Sequence, residues 1–249
     1  MRPLALLSVI VLCLCARCFG DARELVEKAI RAHGGEENVA RLQSVRIKVE
    51  GEAELAPGQP AVPLVVEDVW QMPDRYKTTS RTTLSGQAFT QTLCINETGG
   101  WAQVNGQVQP LPDAGLKEMK EQKWAEDMDR LLPLRDKSLK IIQIEDSALD
   151  NRPVAGIKVE APDHRAVRLY FDKESGLLVK REQEVLGNDG AMTLQSVVFS
   201  DFAVKDGVKH WTKISAYRNG KRFIAATLKE LQIGKPIDPN EFQQPQAVK

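Results

Sequence analysis

SVRIKVEGEAEL, Ser44 to Leu55, alternates residue by residue. Val45, Ile47, Val49, Ala53 and Leu55 fall on one side. Arg46, Lys48, Glu50, Glu52 and Glu54 fall on the other, and Gly51 alone breaks the apolar row. A period of two is that of a β-strand with one face on apolar contacts and the other in water. The gap at Gly51 predicts a bend in the strand.

Downstream segments repeat the pattern. Leu64 to Met72 places Leu64, Val66, Trp70 and Met72 on one side, and Pro73-Asp74 turns the chain into the threonine-rich Arg75 to Leu84. Ser85-Gly86 and Asn105-Gly106 are hairpin signals, the second a strong one. From Ser138 the strands resume: Ala155, Ile157 and Val159 alternate with Gly156, Lys158 and Glu160, and Val167, Leu169 and Phe171 form the next row. Turns at Asp172 to Gly176, Asn188 to Gly190, Lys205 to Gly207 and Arg218 to Lys221 separate the remaining strands. About ten short strands joined by tight turns predict an antiparallel meander with a wet face and an apolar face.

Two segments follow a helical period instead. Asp21 to His33 opens with Asp21 as N-cap and Glu24 three residues on, carries Val26, Ala29, Ile30 and His33 on one stripe, and stops at Gly34-Gly35. Asp113 to Leu132 repeats Leu116, Met119, Trp124, Met128, Leu131 and Leu132 at helical intervals before Pro133. Each must lay its stripe on the apolar face of the sheet. No linker divides the chain, so residues 21–249 are expected to form one domain.

The first 20 residues, MRPLALLSVIVLCLCARCFG, have a basic start, a short apolar run and small residues at the end, the plan of a cleaved export signal. An uncleaved anchor competes with it, though Arg17 interrupts the apolar stretch and the run is short for a bilayer. Lipid attachment at Cys15 or Cys18 is a further alternative, and Arg17 beside Cys18 does not suit it. Cleavage near Gly20 leaves Cys94 as the single cysteine of a chain sent to an oxidising compartment, so no internal disulfide is expected. The full chain has 34 basic and 34 acidic residues; losing Arg2 and Arg17 makes the net charge −2. That balance offers nothing for nucleic acid or an anionic membrane surface.

Chemistry is hard to find. His33, His164 and His210 are far apart, with no metal-ligand spacing around them. Cys94 between Leu93 and Ile95 reads as a small buried hydrophobe, no GxSxG elbow is present, and no glycine-rich turn opens a helix for a nucleotide. Asn96-Glu97-Thr98 matches a glycosylation acceptor, which matters only in a eukaryote. No cofactor or metal is expected.

Three pieces of the chain are similar to the large family of periplasmic proteins with the fold of the lipoprotein carrier LolA. They are the helix ending in Ala32-His33-Gly34-Gly35 followed by the strand SVRIKVEGE, the hairpin LYFDKESGLLVKREQE, and the tail AATLKELQIGKPIDPNEFQQP. The resemblance implies a mainly β (α+β) fold: a strongly curved antiparallel sheet forming an incomplete β-barrel, with helices packed on its concave face. It implies a periplasmic protein of a Gram-negative-type bacterium whose partner is a hydrophobic ligand or a lipidated protein. Val45, Ile47, Val49, Trp70, Met72, Trp101, Met119, Trp124, Met128 and Leu131 are the expected lining of a ligand cavity, since methionine and aromatic side chains suit adaptable apolar recognition. Ordinary core is the competing reading of the same residues. A monomeric, non-enzymatic carrier is the first expectation. An envelope sensor with a filled interior and a protein partner is the second, and a hydrolase with converging acids, marked by strongly raised carboxylate pKa values, is the third.

Overall fold

The chain runs as two antiparallel meanders that meet where its first strand pairs with its last. The computed structural model describes residues 22–56, 58–187 and 190–245. The expected export signal with Cys13, Cys15 and Cys18, the expected Asp21 cap, and Asn188-Asp189 lie outside the described residues.

Helix α1 (Ala22–Ala32) and the short α2 (Glu36–Ala40) lead into β1 (Ser44–Ala53). The first meander continues with β2 (Val62–Gln71), β3 (Arg75–Leu84), β4 (Gln87–Asn96), β5 (Gly99–Val104) and β6 (Gln107–Pro110). Helix α3 (Asp113–Met128) intervenes. The second meander is β7 (Lys140–Leu149), β8 (Arg152–Ala161), β9 (His164–Asp172), β10 (Leu178–Leu186), β11 (Met192–Lys205), β12 (Val208–Arg218) and β13 (Lys221–Ile233). The sheet order is β6-β5-β4-β3-β2-β1-β13-β12-β11-β10-β9-β8-β7. Thirteen strands exceed the ten expected because short pieces such as β5 and β6, six and four residues long, each pair fully around the Asn105-Gly106 turn.

This topology explains the curvature. Both edges, β6 and β7, are joined through α3, so the helix bridges the opening of an unclosed barrel. One apolar core then holds residues of α1 (Val26, Ile30), β1 (Val45, Ile47), β3 (Tyr76), α3 (Met119, Met128) and β9 (Val167, Leu169) together. Side chains from opposite ends of a 13-strand sheet share a core only if the sheet curls around it.

The central strand alternates as its sequence predicts, with Val45, Ile47, Val49 and Ala53 buried. The bend is placed differently. Pairing of β1 with β13 slips between Lys48 and Val49, a bulge that adds local twist. Gly51 instead permits a close approach: a Cβ there would lie 2.0 Å from the Ala225 carbonyl oxygen and 2.5 Å from the Ala226 Cα.

The outer face is not uniformly wet. After β13 the chain returns over the first meander, where Ile237 and Phe242 bury Val69, Cys94 and Trp101. The Phe242 carbonyl accepts from Trp101 Nε1 at 3.1 Å and Asn96 Nδ2 at 3.0 Å, and Arg46 grips Glu241 through two contacts of 2.6 and 2.7 Å. Among the described residues no helix is long and apolar enough to cross a membrane.

Candidate functional site: an apolar cavity with a charged inner end

The concave face leaves a cavity of about 700 Å³ between the sheet and α3, within the range of small-molecule sites. Its walls follow from alternation. Every second residue of β1 (Val45, Ile47, Val49, Ala53) and of β2 (Leu64, Val66, Asp68, Trp70) faces in, and Val197, Phe199, Trp211, Ile214 and Ile224 complete the far wall.

Register gives the cavity a direction. Trp70 lies opposite Val45 and Leu64 opposite Gly51, so Val45 and Trp70 mark one end and Ala53 and Leu64 the other. At the second end Leu55 and Leu186 are 49% and 43% exposed, which makes it the mouth. The first end is closed by Leu42, Val208 and His33.

The inner end is polar. Asp68 (β2), Tyr76 (β3), Gln122 and Glu126 (α3), Asp129 and Arg130 just after α3, and Arg181 and Gln183 (β10) gather there. Glu126 accepts from Trp70 Nε1 at 3.2 Å and Gln122 Nε2 at 3.1 Å. Asp129 pairs with Arg181, and the Tyr76 hydroxyl points at Asp68, 3.5 Å away. Burial first, and the negative charge of Glu126 second, raise the Asp68 pKa. Burial also lifts Asp129 to about 7 against the pull of Arg181. His210 faces the same space with its Nδ1 2.7 Å from the Trp211 carbonyl, and burial takes its pKa down to about 4.

Of the residues expected to line a cavity, Val45, Ile47, Val49 and Trp70 do so. Met119, Met128 and Leu131 are instead buried under the helix in the common core. Trp124 turns to the β9 side, stacked on His164 at 4.3 Å with its Nε1 donating to the Arg165 carbonyl. Met72 sits beyond the end of β2, half-buried. Trp101 faces the opposite side of the sheet: it pairs directly with Cys94, and both point at the C-terminal segment. The sequence GGWAQV of β5 has no alternation from which its facing could be read.

Sequence reasoning passed over Asp68, Arg130, Arg181 and Gln183. Asp68 carried a signal, since it is the one acid in the otherwise apolar row Leu64, Val66, Trp70. Arg181 and Gln183 alternate with Lys180, Glu182 and Glu184, so both faces of β10 are polar and the pattern is silent. Asn96, the glycosylation-type asparagine, is engaged: its Oδ1 accepts from the Thr98 N–H and hydroxyl and its Nδ2 donates to Phe242. Among the described residues no group of three His, Cys, Asp or Glu side chains is placed to hold a metal.

No family model matches the chain, and no curated protein does. Solved structures do. A LolA superfamily protein of Nitrosomonas europaea superposes with a TM-score of 0.55 at 9% identity, covering 90% of this chain and 97% of its own. A Vibrio parahaemolyticus domain described as an outer membrane lipoprotein-sorting protein gives 0.55 at 11% identity, covering 89% and 97%. A DUF1329 family protein of Desulfovibrio piger gives 0.55 at 10%, again covering 89% and 97%. Shared architecture at such identities is a likeness of fold.

Proposed function

We propose that this chain, whose fold is LolA-like, is an exported non-enzymatic binding protein that holds the acyl chain of a lipid or of a lipidated protein in the concave cavity. Residues 1–20 serve as the export signal, and residues 21–249 act as one binding domain in the periplasm of a Gram-negative-type bacterium. The observation that carries the reading is the open cavity of about 700 Å³ whose walls are apolar along β1 and mostly apolar along β2 and β11 to β13, with Asp68, Gln195, His210 and Arg218 as the polar exceptions there. Burial of an acyl chain there is worth about 0.8 kcal/mol per methylene. A sensor with a filled interior would need that space to be occupied by its own side chains. The lipoprotein-sorting description of the Vibrio parahaemolyticus domain points the same way.

The test is native mass spectrometry of the full chain, exported in a diderm bacterium and purified without detergent. Lipid-sized adducts released by organic extraction support the reading. A bare polypeptide mass, together with failure of the extracted protein to bind the uncharged fluorophore N-phenyl-1-naphthylamine, counts against it.

A hydrolase is the second reading, favoured by the raised pKa values of Asp68 and Asp129 in the cavity. Against it, Glu126 and Asp129 already accept from Trp70, Gln122 and Arg181. Turnover of p-nitrophenyl esters or glycosides that is lost in Asp68→Asn would reverse the preference.

A further inference from the structure

The inner end of the cavity holds a buried guanidinium, near the acids Asp127, Glu126 and Asp129, whose hydrogen-bonding capacity is not filled. Arg130 is 9% exposed, and its Nε and Nη2 have no hydrogen-bond partner. None of the ion pairs among the described residues includes it. Its guanidinium lies over the Trp70 ring, with Cζ 4.5 Å from the ring centre. Each neighbouring acid has a donor of its own, Glu126 taking Trp70 and Gln122, Asp127 taking Lys123, Asp129 taking Arg181 and Asp68 facing Tyr76, although one oxygen each of Asp127 and Asp129 is also unpartnered. A buried guanidinium with unmade hydrogen bonds is costly, and proteins resolve that cost by pairing.

The two partnerless nitrogens are adjacent, and together they form the edge that grips a carboxylate or phosphate with two parallel N–H bonds. The location matters as much as the chemistry. Trp70 and Val45 mark the closed end, while the exposed Leu55 and Leu186 mark the mouth. An acyl chain inserted methyl first would bring its apolar tip against this charge. A single-chain amphiphile inserted head first would place its acid there, with the chain running along Ile47, Val49 and Val66 to a mouth where Leu55 and Leu186 stand beside Glu118, Arg165 and Arg218.

We propose that Arg130, supported on the face of Trp70, is the headgroup site of the cavity and receives the acidic head of a single-chain amphiphile that enters head first. The inference rests on the cavity-binding reading and narrows its ligand class. Burial raises the pKa values of Asp68 and Asp129, which reduces their negative charge near neutral pH and softens their repulsion of an anion.

The test compares three 16-carbon probes, each displacing N-phenyl-1-naphthylamine from the full chain: hexadecanoate, the lysophosphatidate, and uncharged hexadecanol. One or both acids are expected to compete about tenfold better than hexadecanol, the scale of a charge-assisted bidentate pair. Which acid does so distinguishes a fatty acid from a phospholipid source. In Arg130→Gln the preference of the acids over hexadecanol should vanish, and in Arg130→Lys it should be partly kept. Equal competition by acids and hexadecanol in the wild type overturns the headgroup site and leaves the cavity reading standing. Displacement by none of the three overturns both, and an acid preference that survives in Arg130→Gln removes Arg130 from the role. The wild-type comparison needs no variant, so a poorly folding substitution does not spoil the test.

Discussion

The ring of His33, at the end of α1, lies with Nδ1 2.7 Å from the carbonyl of Lys209 on β12. Its Nε2 accepts from the Leu178 N–H of β10 at 3.1 Å, which makes Nδ1 the protonated nitrogen and the ring neutral. One side chain thus ties the first helix to two strands of the second meander. Burial pushes its pKa down to about 4.

A histidine depressed on folding contributes stability that is present above its unfolded pKa of about 6.5 and is lost as pH falls toward the folded value, here by about 3 kcal/mol. Urea unfolding of wild type and His33→Gln across pH 4 to 8 should therefore show the wild-type advantage largest above pH 6.5 and shrinking toward pH 4. A constant difference would mean that the ring is not held neutral.

Asp129 works in the opposite sense. Its pKa is raised to about 7 by burial, so the folded state holds its proton more tightly than the unfolded one, and stability declines as pH rises from about 4 to 7. Asp129→Asn cannot lose a proton. The variant should gain on the wild type by roughly 2–4 kcal/mol between pH 4 and pH 7.5. Thermal melts at the two pH values read this directly, and an unchanged gap would contradict it.

Two glycines should respond with opposite signs. Gly51→Ala drives a methyl into the Ala225 carbonyl and the Ala226 backbone on β13, neither of which is a flexible side-chain end. A loss of about 1–3 kcal/mol or more is expected, the scale of overpacking. Gly115, inside α3, would meet only ordinary contacts at 3.6 Å and beyond, so Gly115→Ala should stabilise by about 0.5–1 kcal/mol. Chemical denaturation of both variants checks the pair.

Cys94 is fully buried beneath Phe242, with its thiol pKa pushed up to about 12 by burial. Ellman's reagent should leave the folded protein untouched and react once urea unfolds it, because the thiolate is the reactive form. Stoichiometric reaction of the native protein within minutes would show that the C-terminal segment does not cover this face.

The alternation of Ser44 to Leu55 was readable because one face of β1 carries no polar side chain, and β8 behaves alike, while β2 and β9 keep the pattern with one charged residue each in the row, Asp68 and Arg165. The helix boundary was less so: the apolar spacing runs on to Leu132, yet α3 ends at Met128 and Leu131 turns at a φ of 67°. Local spacing does not register where the chain must leave the sheet to reach β7. Arg130 was invisible for a similar reason. In the sequence Asp129-Arg130-Leu131 it looks like any surface charge, and its burial arises only because α3 crosses between meanders that are distant in sequence. Trp101 was assigned to the cavity by residue type, whereas its facing was decided by the tail that returns to cover Cys94.

On the proposed reading, an acyl chain binds in the concave cavity. Ile214 and Val197 are half-buried on its wall and point into it, so Ile214→Trp should occupy the space that a ligand needs. Binding of N-phenyl-1-naphthylamine should be one to one in the wild type and weakened at least about tenfold in Ile214→Trp, with the melting temperature within a few degrees. Equal binding by a folded Ile214→Trp would place the ligand elsewhere and contradict the account.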